Sequence, residues 1–133
     1  MKSILIIEDN KVMAQILAQL LRNSIQPKTL LHASSISQAE AIFVKSQLVG
    51  HALDCVFLDL NLSLPLDGLS LLRQIKQEQP ELPVIVVTAE NEMETVKKVI
   101  SHKPDGYIVK PLSMQKINQC LAKVANFQLH IEK

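Results

Sequence analysis

The sequence predicts a doubly wound α/β domain, a three-layer arrangement in which helices cover both faces of a five-stranded parallel sheet. Short apolar runs rich in Ile, Leu and Val alternate with longer stretches whose apolar residues recur at helical spacing. The alternation runs through five strand–helix units with no linker or low-complexity tract between them. A chain of this pattern builds parallel strands joined by right-handed crossovers.

Each element has its own signal. Residues 3–7 read as a fully buried strand, rich in Ile and closed by Glu8-Asp9-Asn10. Asn10 or Asp9 can cap the first helix, along which Val12, Ile16, Leu20 and Asn23 keep helical spacing until Pro27 stops it. Residues 28–32 form a weaker second strand, and Ser34 and Ser35 are cap candidates for a second helix. That helix is marked by Ile36, Ala39, Ile42 and Phe43 and reaches about residue 47. Residues 53–58, apolar except for Asp54, predict a third strand that ends at Asp59. Beyond a loop with Pro65 and Gly68, Leu69, Leu72, Ile75 and Lys76 set the spacing of a third helix. Pro80 and Pro83 bracket a turn, and Val84-Ile85-Val86-Val87 is the clearest strand signal, four β-branched residues ending at Thr88. Residues 92–101 predict a fourth helix with Met93, Val96, Val99 and Ile100 on its apolar side. Residues 106–109 give a short fifth strand ending at Lys110-Pro111. Ser113 caps a fifth helix bearing Ile117, Leu121, Val124 and Phe127.

Composition narrows the function. A chain of 133 residues has room for one domain, which would bury roughly two-thirds of the surface of its unfolded chain. The 14 basic and 13 acidic residues leave a formal net charge of +1, which excludes a broad electrostatic grip on nucleic acid or anionic membrane. Phe43, Phe57, Tyr107 and Phe127 are too few to form a platform that stacks bases. Cys55 and Cys120 have neither zinc nor redox-motif spacing and read as small core residues in a reducing compartment. The apolar run 4–7 is too short for a signal-peptide core or a membrane span, so a cytoplasmic location is expected.

The polar residues at the strand ends carry the chemistry. Glu8 and Asp9 end the first strand, Asp59 the third, Thr88 the fourth and Lys110 the fifth. In an open α/β sheet these ends converge on one edge, where ligands bind. Taken singly, each residue has an ordinary explanation as a cap, a turn or a loop residue. Together they place three carboxylates, a hydroxyl and an ammonium within a few ångströms. Clustered carboxylates repel, so cations must make the cluster tolerable. Lys110 supplies one charge, and Mg²⁺, which takes oxygen ligands from one or two carboxylates plus phosphate, is the natural second. A carboxylate can also act as the nucleophile that forms an acyl phosphate, a role that falls to Asp59, with Lys110 and Thr88 on the other phosphoryl oxygens.

The ordered set Glu8-Asp9, Asp59, Thr88-Ala89 and Lys110-Pro111, with Tyr107 three residues before the Lys, resembles the signature of receiver domains of two-component response regulators. The resemblance covers about residues 2–125 of a single domain spanning 1–133, with 126–133 a C-terminal tail or the end of the last helix. It implies the flavodoxin-like strand order 2-1-3-4-5 of the chemotaxis members. It further implies that Asp59 is the phosphoacceptor, that Asp9 binds Mg²⁺ directly and that Glu8 does so through water. Asn61 would lend its backbone carbonyl, Thr88 and Tyr107 would form a switch pair, Lys110 would touch the phosphoryl group, and the Lys110-Pro111 bond would be cis. The implied function is a phosphorylation-dependent switch rather than an enzyme. A histidine kinase or histidine phosphotransfer protein would load it, and a downstream protein would read the face formed by the fourth helix, fifth strand and fifth helix. Neither nucleic acid nor membrane is an expected direct partner.

One departure concerns the loop after Asp59. The family commonly places Pro four and Gly eight residues after the acceptor, whereas Pro65 and Gly68 stand six and nine after it here. The loop is expected to be longer and to expose leucines, with Leu62, Leu64 and Leu66 forming either an anchor or a docking patch. Two other functions compete. A phosphatase with an aspartyl-phosphate intermediate normally carries a second acid two residues after its nucleophile, and Asn61 cannot fill that role. A receiver-like scaffold independent of phosphorylation would not need the intact acidic set. His32, His51, His102 and His130 share no ligand spacing and are expected at the surface.

Overall fold

A computed structural model describes residues 3–50, 52–62, 67–89 and 93–132, with side chains to Val124. Its elements alternate strictly, β1 (Ser3–Ile7), α1 (Lys11–Ser24), β2 (Thr29–Ala33), α2 (Ile36–Val49), β3 (Cys55–Asp59), α3 (Gly68–Glu78), β4 (Val84–Thr88), α4 (Met93–Ser101), β5 (Gly106–Val109) and α5 (Met114–Glu132). The strands form one sheet in the order β2-β1-β3-β4-β5. Every neighbouring pair is parallel. The flavodoxin-like order expected from the sequence is therefore the observed one.

The period of two along each strand divides the core into two layers. Leu5, Ile7, Val56, Leu58, Val84 and Val86 face α2, α3 and α4, where Phe43, Leu72, Ile75 and Val99 close over them. Ile4, Ile6, Phe57, Ile85, Val87 and Ile108 face α1 and α5, meeting Leu17, Leu21, Ile117 and Leu121. The central strands β3 and β4 are buried at all their positions, which is why they read as unbroken apolar runs. Edge strand β2 buries only Ala33, and its signal in the sequence is correspondingly weak.

Local chemistry sets the helix starts. The Asn10 side chain accepts the Met13 N–H at 3.1 Å, Ser35 accepts that of Gln38 at 3.2 Å, and Ser113 accepts that of Lys116 at 3.2 Å. Each such cap is worth about 1 kcal/mol. Two helix faces differ from expectation. On α1 the buried residues are Ala14, Leu17 and Leu21, while Val12 and Ile16 stand 63% and 44% exposed. The helix carries two apolar stripes of the same period, and the sheet takes the one that contains small Ala14. On α4 only Val99 is buried, and Met93 and Ile100 face outward. The backbone of α5 continues to Glu132, so residues 126–133 begin as the end of the last helix rather than as a separate tail.

Candidate functional site

Parallel register brings the polar strand ends to one edge. Asp59 is the last residue of β3 and lies beside Val87, while Thr88 ends β4 beside Val109. Beyond the ladder, the Lys110 N–H donates to the Thr88 carbonyl at 2.8 Å and the Glu8 N–H to the Ala33 carbonyl at 3.0 Å. These two bonds extend the sheet by one residue on each side and aim the Lys110 and Glu8 side chains into the same space.

There the Lys110 ammonium donates to Glu8 Oε1 at 3.0 Å and to Asp59 Oδ2 at 3.2 Å. The other Asp59 oxygen accepts the Asn61 N–H at 3.0 Å. Glu8 and Asp59 are 5% and 6% exposed and Thr88 is fully buried, whereas Asp9 is exposed at the mouth. Carboxylate oxygens of Glu8, Asp9 and Asp59 lie within 4.8 Å of one another. One ammonium does not balance three acids. Burial, reinforced by the neighbouring Asp59 carboxylate, pushes the Glu8 carboxyl up to about 8 against the pull of Lys110. Burial alone would lower the Lys110 ammonium, but its bond to Glu8 and the charge of Asp59 outweigh that, so its pKa rises.

Glu8 Oε2 is buried with no hydrogen-bond partner among the described residues. A buried carboxylate oxygen left in that state is costly unless a proton or a cation reaches it. The donor set is all oxygen and converges on one point, so the residues fit a hard divalent cation such as Mg²⁺.

Other expected site residues are placed nearby. Tyr107 sits on β5 beside Val86, half-buried and packed against the core layer that includes Val99 of α4. The Lys110-Pro111 bond is cis. At the start of the loop after Asp59, Leu62 is 5% exposed and its N–H donates to Asp67 Oδ1 at 2.8 Å. Leu62 is thus an anchor in the core, not an exposed leucine. Leu64, Pro65 and Leu66 lie outside the described residues. Gly68 closes the loop, its N–H on the Leu60 carbonyl at 2.7 Å. A Cβ there would fall 2.5 Å from the Asp59 carbonyl oxygen, so only glycine lets α3 start this close to Asp59. Gly68 ends the loop nine residues after Asp59, one later than the family's usual glycine.

Comparison with known proteins settles the family. The model of the response regulator receiver domain matches residues 4–122. This chain belongs to the receiver-domain family of response regulators. Among its relatives, a probable C4-dicarboxylate response regulator DctR of Priestia megaterium is 28% identical over 98% of this chain and 55% of that protein. The sensory transduction protein LytR of Streptococcus mutans serotype c is 31% identical over 95% of this chain and 49% of its own. The chain thus spans about half the length of these curated relatives. A solved response regulator receiver domain protein from Clostridium thermocellum shares the fold with a TM-score of 0.82 at 23% identity, covering 98% of this chain and 99% of that one. Receiver domains bind Mg²⁺ at an acidic pocket, and the acidic cluster of this receiver domain is Glu8, Asp9 and Asp59.

Two supporting residues escaped the sequence reading. His32 Nε2 lies 2.7 Å from the Glu8 carbonyl, and Lys116 Nζ donates to the Val109 and Pro111 carbonyls at 2.9 and 3.0 Å, on either side of Lys110. Both act on main-chain groups, which leave no residue-type pattern in a sequence. The remaining histidines stay apart from the site or outside the described side chains: His102 holds the Lys98 carbonyl, and nothing is described of His51 or the His130 ring. Among the described residues no helix is long and apolar enough to cross a membrane.

Proposed function

We propose that this receiver domain takes a phosphoryl group on Asp59 from a histidine kinase or histidine phosphotransfer protein, and that the loaded state presents an altered α4–β5–α5 face to a downstream protein. The observation that carries the reading is the convergence of Glu8, Asp9 and Asp59 around a Lys110 ammonium bonded to two of them. The same reading takes 1–133 as one receiver domain acting in the cytoplasm, supported by a single sheet with a continuous core on each face.

In the transfer, a carboxylate oxygen of Asp59 forms a bond to phosphorus as the bond from phosphorus to the donor imidazole nitrogen breaks. Lys110 orients Asp59 before the attack and meets a phosphoryl oxygen after it. Thr88, at the end of the adjacent strand, would bind another. Glu8, Asp9, Asp59 and the Asn61 carbonyl would hold Mg²⁺, which when bound neutralises charge on the transferred group. Asn61 has an amide where an aspartyl-phosphate phosphatase would carry its acid, so the site has no group there to protonate a leaving alcohol. It is a phosphoacceptor that would catalyse its own loading and loss, not an enzyme acting on a separate substrate.

Incubation with Mg²⁺ and a small acyl phosphate, followed by intact-mass measurement, tests the reading. One phosphoryl mass that a chelator suppresses is the expected result. Asp9→Asn should bind Mg²⁺ more weakly and load more slowly, since too few carboxylates remain for an ion that dehydrates reluctantly. No mass gain in the wild type at saturating donor and Mg²⁺ would overturn the proposal.

A further inference from the structure

The structure assigns His32 as a positioning residue for the acidic pair, holding by its Nε2–H the peptide unit from which Asp9 departs. This inference rests on the reading of Glu8 and Asp9 as the residues that hold the cation.

The case starts from the β1–β2 ladder. Its last paired residues are Ile7 and Ala33, and the Glu8 N–H still reaches the Ala33 carbonyl at 3.0 Å. Continued by one step, a parallel ladder would deliver the Ser35 N–H to the Glu8 carbonyl. Ser35 is instead the N-cap of α2, and no main-chain donor meets the Glu8 carbonyl among the described residues. The His32 ring supplies the missing donor, with Nε2 at 2.7 Å from that oxygen. A carbonyl oxygen only accepts, so Nε2 carries the hydrogen.

The consequence is geometric. Ala33 and His32, consecutive on β2, fix the peptide units on the two sides of Glu8. Lys110 fixes the Glu8 side chain from the opposite end of the sheet. The peptide plane between Glu8 and Asp9 sets the direction in which the Asp9 carboxylate leaves the chain. Asp9 is exposed, so packing does not set that direction. His32 is itself exposed on an edge strand, so it owes its place to this bond rather than to the core.

Outer partners that orient metal ligands typically change affinity by about tenfold or more, and a partner acting through the main chain should sit at the lower end. The experiment compares the wild type with His32→Phe, which keeps a ring on the strand but removes the donor, and His32→Gln, whose amide nitrogen can take the place of Nε2. Calorimetry with Mg²⁺ alone reads affinity, and phosphorylation by an acyl phosphate reads the Mg²⁺ half-saturation and the saturated rate separately. The expected result is a severalfold weaker Mg²⁺ affinity in His32→Phe, on the order of three- to tenfold. Half-saturation should shift in parallel while the rate at saturating Mg²⁺ is kept, and His32→Gln should return to within about twofold of the wild type. Wild-type affinity in His32→Phe overturns the assignment, as does a His32→Gln protein as weak as His32→Phe. A wild type that takes up no Mg²⁺ overturns the underlying reading of Glu8 and Asp9, and the assignment with it.

Discussion

Among the described residues only Lys110 answers Glu8, through Oε1, and the carboxyl is pushed up to about 8 from an ordinary 4.5. The fold therefore favours the protonated form. That contribution is fully present below about pH 4.5 and is lost as pH rises toward about 8. In chelator, stability measured by urea unfolding should fall across this window. The slope should flatten in Glu8→Gln, whose amide stays neutral, and in the wild type with saturating Mg²⁺, which takes the place of the proton. A metal-free slope unchanged by Glu8→Gln would show that Glu8 does not titrate this way. At this scale the site was largely legible, since Glu8, Asp9, Asp59, Thr88 and Lys110 are marked by polar side chains at the ends of apolar runs. His32 and Lys116 were not, because what they hold is a carbonyl, and every residue has one.

Between elements, glycine and cysteine decide how closely β5 and α5 pack. A Cβ added at Gly106 would fall inside the contact radius of Cys120 Sγ and tight against Ile85. Burial pushes both the Cys120 and the Cys55 thiols up, which keeps them protonated and packing as small apolar groups. Gly106→Ala should cost about 1–3 kcal/mol in urea unfolding. Adding Cys120→Ala should recover part of it, with a coupling of about 0.5–3 kcal/mol. Strict additivity of the two substitutions would show that the sulfur does not set the spacing. Existence and type of all the elements were readable from the sequence, and its cap candidates, Asn10 or Asp9, Ser34 or Ser35, and Ser113, include the observed caps Asn10, Ser35 and Ser113. Helix faces were less so. Two stripes on α1 obey the same period, and the choice between Ile16 and Leu17 belongs to the sheet beneath. Likewise Met93 and Ile100 read as core on α4, yet that short helix meets the core chiefly through Val99.

At the scale of the whole molecule, the proposed switch would link Asp59, buried at the end of β3, to the α4–β5–α5 face across the sheet. A phosphoryl group on Asp59 would replace the single negative charge of the carboxylate with about −1.5 to −2 spread over three terminal acceptor oxygens. Thr88 is one strand away, and Tyr107 is half-buried on the strand beyond, packed beside the α4 layer. If Thr88 moves to the phosphoryl group and Tyr107 follows inward, the α4–β5–α5 face changes as a shift between two populations a few kcal/mol apart. Amide shifts with and without beryllofluoride, in wild type and Thr88→Ala, check this. The wild-type response should reach Tyr107 and α4, and that of Thr88→Ala should stay near Asp59; identical long-range responses would contradict the coupling. The strand order came only with the family resemblance, whereas the meeting of residues 8 to 110 at one edge is a whole-chain property that alternation made legible. The loop after Asp59 was less so, its extra residue leaving the burial of Leu62 open. All of this depends on one nucleophile, so the most direct measurement is the intact mass of Asp59→Asn beside the wild type, in Mg²⁺ and a small acyl phosphate. The account predicts one phosphoryl group on the wild type and none on Asp59→Asn, whereas equal loading of both proteins at equal rates would contradict it.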